Sequence, residues 1–154
     1  NNEYLALLGE AAYWDDRYRE PEDPNEDDMS SPFDWLFSYD DVKEIIRTLI
    51  PDKNNSAFLI GCGNAPFSID MYNDGYHKIR NSDYSEVVIS QQKRKFPHMT
   101  WELVDAMDSK FPSNSVQCIV DKSLIDTILC YQHSLDKMKV YMYEMFRIMK
   151  PGGK

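Results

Sequence analysis

Apolar positions in the first fifty residues recur at helical spacing, and past residue 51 short apolar runs begin to alternate with helical stretches. Tyr4, Leu7, Leu8, Ala11, Ala12 and Trp14 predict a helix over 3–19. Val42, Ile45, Ile46 and Leu49 predict one face of a second over 40–49, which Pro51 ends. Between them lies the aromatic cluster Phe33-Asp34-Trp35-Leu36-Phe37. The run 57–60 stops at Gly61-Cys62-Gly63 and leads into a predicted helix over 65–73. Further strands are expected over 77–81, 99–104 and 116–120, the last preceded by the turn-like 112–115. Ser85 is placed to cap a helix carrying Val87, Val88 and Ile89. The last helix, 134–149, sets Leu135, Met138, Met142, Met145 and Met149 three or four residues apart, a stripe that reads as a core face. Strands alternating with helices imply βαβ units and a mostly parallel sheet, hence a Rossmann-like, doubly wound α/β fold with flanking helices.

Composition adds limits to this picture. The 154 residues suit one domain, and no apolar run reaches the roughly 18 residues a membrane span needs. The net charge of -9 is local: residues 1–50 hold 14 acidic and 4 basic side chains, whereas 51–154 hold 12 and 13. Acidity is densest at Glu20, Glu22, Asp23, Glu26, Asp27 and Asp28, where Pro21 and Pro24 oppose a continuous helix. Such a stretch reads as a solvated loop, or as an acidic lip for a basic partner. The charge balance argues against nucleic acid, which needs a basic face. Cys62, Cys118 and Cys130 are odd in number and form no CxxC, which suits a reduced, cytoplasmic compartment. No secretory pattern opens the chain, and a start at Asn1 rather than Met suggests trimming.

The candidate chemistry centres on the strand that ends at Gly61-Cys62-Gly63-Asn64. Glycines there let the backbone turn sharply and approach a ligand at the carboxyl end of a sheet. Asp83 follows Gly61 by 22 residues, at the expected end of the second strand, where a carboxylate accepts hydrogen bonds from ribose hydroxyls. The third glycine of the dinucleotide fingerprint is missing and Pro66 stands nearby, which disfavours a pyrophosphate and with it a nicotinamide-dependent oxidoreductase. A nucleoside without phosphates fits better, and S-adenosylmethionine (SAM) is the obvious one. Asp105 and Asp121 follow the third and fourth strands. His77, His98 and His133 match no metal-ligand spacing.

Seven segments carry a family resemblance, in order along nearly the whole chain: Tyr13-Trp14-Asp15-Asp16-Arg17-Tyr18, Phe33-Asp34-Trp35, Leu59-Ile60-Gly61-Cys62-Gly63-Asn64, Ser82-Asp83-Tyr84-Ser85, Trp101-Glu102-Leu103-Val104-Asp105, Asp121-Lys122 with Asp126, and Arg147-Ile148-Met149-Lys150-Pro151-Gly152-Gly153. The chain resembles the class I, seven-strand SAM-dependent methyltransferases. More narrowly, it is similar to the methyltransferase-like proteins that methylate lysines of elongation factor 1-alpha. The resemblance implies one methyltransferase domain over 1–154, with a helical and acidic lid at 1–50 and a Rossmann-like core at 51–154. It implies that Trp14, Tyr18 and Trp35 close over the cofactor and that Gly61 and Gly63 turn beneath its methionine part. Asp83 would take the ribose, Tyr84 would lie beside the adenine, Asp105 and Ala106 would meet the adenine edge, and Lys122 would line the pocket. Asp121 is a candidate base by position only.

Two departures stand out. Ser123 replaces the family's usual Gly after Asp-Lys, and the chain stops where a fifth strand is expected, so the sheet lacks its C-terminal strands and the fourth strand is left as an exposed edge. The implied activity is methylation of a basic protein substrate. A small-molecule methyltransferase and a SAM-binding module without activity are the alternatives.

Overall fold

A computed structural model describes residues 7–19, 31–130 and 133–154. The acidic stretch 20–28 and Tyr4 lie outside these described residues. The elements run α1 (Ala11–Tyr18), α2 (Tyr39–Leu49), β1 (Ala57–Ile60), α3 (Phe67–Asn73), β2 (Ile79–Asp83), α4 (Glu86–Lys95), β3 (Thr100–Leu103), β4 (Cys118–Asp121), α5 (Leu124–Leu129) and α6 (Ser134–Ile148). The four strands form one sheet in the order β3-β2-β1-β4, and every pairing is parallel. This is the Rossmann-like α/β arrangement that the alternation of elements predicts.

All four residues of the central strand β1 are buried, as a parallel strand covered on both faces requires. Successive side chains point to opposite faces, so β1 divides the core in two. Ala57 and Leu59 join a cluster with Trp14, Tyr18, Met71, Ile79 and Val88, on the side of α1 to α4. Phe58 and Ile60 join Ile128, Tyr141, Met145 and Ile148 on the side of α5 and α6.

Strand and helix positions differ from the sequence expectation in physically informative ways. β2 lies two residues later than 77–81, because the ladder pairs Ala57 with Ile79 and carries Asp83 into the strand. α1 begins at Ala11, after a turn at residues 8–9, with Leu7 helical before it; positions 3–6 of the helix expected over 3–19 lie outside the described residues. On α2, Ile45 and Leu49 are exposed and the buried face is Tyr39, Ile46 and, beyond the helix, Ile50. α6 is likewise rotated from the methionine stripe: Leu135 and Met142 face solvent, while Tyr141, Glu144, Met145 and Ile148 turn inward. Polar anchors decide that rotation. The Tyr141 hydroxyl donates to Asp121 Oδ2 at 2.5 Å, and Glu144 Oε1 accepts from the backbone N–H and hydroxyl of Ser109.

β4 is not the bare edge expected. Val116 bridges Met149, Lys154 N–H donates to the Gln117 carbonyl, and Ile119 N–H donates to the Lys154 carbonyl, so residues 149–154 run along its outer side.

Arg147 and the two Ser109 donors hold the Glu144 carboxyl down at about 2. A depressed carboxyl contributes stability above its unfolded value and loses it as pH falls through the folded one. Glu144→Gln is therefore expected to cost about 1–3 kcal/mol near neutral pH in urea unfolding, with the difference from the parent shrinking as pH falls from 4.5 towards 2.

Candidate functional site

The register places the strand ends together: Ile60 pairs with Ser82 and Asp121, and Asp83 pairs with Leu103. The segments leaving β1, β2, β3 and β4 therefore converge at one carboxyl edge, beside the point where the strand order reverses, which is where open α/β sheets bind ligands. There they line a cavity of about 540 Å³ whose remaining walls come from α1 with the residues before it, the segment around Phe33, Trp35 and Leu36, and α5. Trp14, Tyr18, Trp35, Gly61, Gly63, Asp83, Tyr84, Asp105, Ala106 and Lys122, the candidates read from the sequence, all line it.

Gly61 and Gly63 have φ of +67° and +51°, a region that L side chains rarely adopt. A Cβ on Gly63 would stand 2.6 Å from Tyr18 Oη, and one on Gly61 would stand 3.0 Å from Leu124 Cβ. The glycine turn is thus clamped between α1 and α5. Asp83 ties it to β2: Oδ2 accepts from Gly63 N–H at 2.9 Å and Oδ1 from Ser85 N–H at 3.0 Å. A carboxylate has about four acceptor sites, so capacity remains for hydroxyls entering from the cavity. Burial raises the Asp83 pKa above the ordinary carboxyl value, and burial with the Asp83 charge pushes the Tyr18 and Cys62 pKa values up as well. Cys62 accordingly stays a thiol, not a nucleophile.

The helix that closes the cavity is docked by polar contacts invisible in periodicity. Asp15 Oδ1 accepts from Ser85 Oγ at 2.5 Å and from Val87 N–H at 3.3 Å, a carboxylate at the start of α4. Ser85 Oγ in turn caps α4 by accepting from Val88 N–H. Gln91 Nε2 donates to the Tyr18 carbonyl at 2.8 Å. These bonds set Trp14 and Tyr18 into the wall, their rings stacked with centroids 5.8 Å apart.

On the opposite side, Asp121 proves structural. Its Oδ1 accepts from Leu124 and Ile125 N–H, its Oδ2 accepts from Tyr141, and it does not line the cavity. Position made it a candidate base; its engaged oxygens give it the task of starting α5. Ser123 sits at φ +66° with its buried hydroxyl unpaired, so the turn retains a glycine-like conformation despite the serine. Ser123→Gly is expected to stabilise the chain by about 1 kcal/mol, raising the thermal midpoint by roughly 2–4 °C.

The sequence reading missed Leu8, Arg17, Met107 and the α5 residues Leu124, Thr127 and Ile128 as lining. Arg17 alone had a signal, lying inside the Tyr-Trp-Asp-Asp-Arg-Tyr segment; α5 is too short for periodicity to reveal.

The lining suits SAM. A cavity of this size lies within the ~300–1,000 Å³ of small-molecule sites. It holds a glycine cradle that a Cβ would fill, a buried carboxylate with spare acceptor capacity and aromatic walls. Pro66 heads α3, where a pyrophosphate would seek a free N–H.

The methyltransferase-domain family matches residues 58–153. The chain is 30% identical to the mouse eEF1A lysine and N-terminal methyltransferase over 96% of its own length and 21% of that protein. It is 26% identical to the mouse EEF1A lysine methyltransferase 4, over 92% of its length and 57% of that protein. The chain thus spans about a fifth to under three-fifths of these curated relatives. Among solved structures, phosphoethanolamine N-methyltransferase 2 of Haemonchus contortus, in complex with phosphomonomethylethanolamine and S-adenosylhomocysteine, superposes with a TM-score of 0.58 at 22% identity, over 80% of this chain and 28% of that one. The [4+2]-cyclase SpnF superposes with a TM-score of 0.55 at 17% identity, over 79% and 44%. At such identities the likeness is one of fold.

Proposed function

Because the chain belongs to the class I SAM-dependent methyltransferase family, with SAM as methyl donor, we propose that it methylates a lysine side chain of a protein, elongation factor 1A being the first acceptor to test. One observation carries this reading. The domain family accounts only for residues 58–153, whereas likeness to the two eEF1A lysine methyltransferases extends over 92–96% of the chain. It therefore includes residues that build the lid, where an acceptor must enter.

When bound, SAM supplies an electrophilic methyl group on a sulfonium, so alignment and exclusion of water are the protein's main tasks. Asp83 would hold the ribose, Tyr84, Asp105 and Ala106 the adenine, and Gly61 and Gly63 the methionine part. Trp14, Tyr18 and Trp35 would exclude water. A lysine acceptor must arrive neutral, and an apolar wall favours the neutral amine. A basic protein partner would also match the acidic stretch 20–28, and an elongation-factor substrate would place the chain in the cytoplasm. Among the described residues no helix is long and apolar enough to cross a membrane.

The test is transfer from isotopically labelled SAM to purified elongation factor 1A, with the modified residue located by mass spectrometry. Methyl-lysine is the expected product. Transfer confined to a panel of small amines, or SAM binding without any transfer, would overturn the reading.

A further inference from the structure

The aromatic segment of the lid is held in an unusual way. Phe33, Trp35, Leu36 and Phe37 are all exposed, and the segment belongs to no helix or strand. Phe37 N–H donates to the Trp35 carbonyl at 2.8 Å across Leu36, whose φ is +65°. This is a three-residue γ-turn of the strained hand, centred on a residue that has a side chain. Strained turns persist where their surroundings over-determine them, and they gather at ligand clamps. Here a lysine supplies a tether. Lys122 Nζ donates to the same Trp35 carbonyl at 2.6 Å, lies 3.4 Å from Asp34 Oδ1 and stands 5.6 Å from the centre of the Phe67 ring. The Lys122 side chain is only 8% exposed, and that of Asp34 15%. An ammonium committed to a main-chain carbonyl and a largely buried carboxylate is poorly placed to ligate a cofactor, although Lys122 is among the cavity-lining residues. Lys122 also leaves β4 directly beside the turn that Ser123 continues, so it joins the sheet edge to the lid.

We propose that Lys122 is a positioning residue which, through the Trp35 carbonyl, holds the strained Phe33–Phe37 turn against the cavity and so sets how firmly the chain retains SAM. The proposal rests on the cofactor alone and not on the acceptor proposed above.

The test uses Lys122→Met, which keeps the aliphatic stem and removes the donor. Losing one charge-assisted hydrogen bond is expected to weaken SAM binding by about tenfold in calorimetric titration. Deuterium exchange at the Phe37 amide of the SAM-bound protein should quicken by about the same factor. Adding Leu36→Gly removes the strain that makes the tether necessary, so the double variant should recover much of the lost affinity. Since Leu36 is 67% exposed, a role of Lys122 in packing alone gives no such recovery. Asp34→Asn retains the Lys122 bond while removing its ion-pair partner, and covers the case in which Lys122→Met does not fold; about threefold weaker binding with faster Phe37 exchange is expected. Unchanged SAM affinity in whichever of these variants folds, or no recovery on adding Leu36→Gly, overturns the proposal. No acceptor enters these measurements, so failure of the elongation-factor reading leaves their outcome untouched.

Discussion

Asp83→Asn is expected to weaken SAM binding at least about 100-fold, because one substitution removes two kinds of contact, each involving a charged acceptor worth about 1.5–3 kcal/mol. Asp83 accepts from Gly63 N–H with one oxygen and from Ser85 N–H with the other. An amide offers only one oxygen, so its NH2 group must face one of those N–H donors and the glycine turn loses an anchor. A ribose bound there would also lose an anionic acceptor. Calorimetric titration checks this, and a change below threefold would show that Asp83 is not the ribose site.

The same group gives a signed pH dependence. Burial raises its pKa, so the cofactor-free fold binds a proton more readily than the unfolded chain does. Ionising Asp83 therefore costs stability: this contribution is fully present below the unfolded value and is lost as pH rises through the raised folded value. SAM binding should run the other way. Ribose hydroxyls held by Asp83 would donate to the ionised form, so affinity should fall as pH drops through the raised value, by up to tenfold per pH unit for one proton. Asp83→Asn should flatten that slope, which distinguishes this carboxyl from Asp105 on the same cavity wall.

Gly63→Ala is the second large effect. The new Cβ would lie 2.6 Å from Tyr18 Oη, at a φ of +51° that alanine disfavours. Tyr18 is buried, its ring stacks on Trp14, and its carbonyl is held by Gln91, so the ring has little freedom to retreat. Either α1 lifts or the glycine turn shifts, and each opens the cavity that both line. SAM affinity is expected to fall about 100-fold or more while the sheet still folds, read as a near-parent far-ultraviolet spectrum. The steric and backbone parts separate in Gly63→Ala with Tyr18→Phe. Without the hydroxyl the nearest ring carbon stands 3.5 Å from the added Cβ, an ordinary contact. The residual loss should then reflect backbone strain of about 1–2 kcal/mol. No recovery in the double variant would mean that Tyr18 does not press on this turn.

Local pattern and chain order determined much of this protein. The 57–60 run became β1 because four successive apolar residues suit a strand buried on both faces. Ser85 became a cap because its hydroxyl reaches a backbone amide three residues on. A glycine turn followed by an acid at the end of the next strand reflects a βαβ unit whose segment lengths bring both to one sheet edge. Each of these rests on interactions spanning few residues or on a repeating topology, so the sequence alone expresses them.

Only the tertiary structure decided which face of each helix turns inward and what each carboxylate does. The α6 stripe was rotated because Tyr141 and Glu144 satisfy their polar groups on Asp121 and Ser109, partners 20 and 35 residues away. Asp15 docks α1 on Ser85 across 70 residues, Lys122 reaches the Trp35 carbonyl across 87, and Asp121 is consumed in starting α5. The physical reason is common to all: an unpaired polar group is costly to bury, and its partner is chosen by which strands become neighbours, which spacing along the chain does not state.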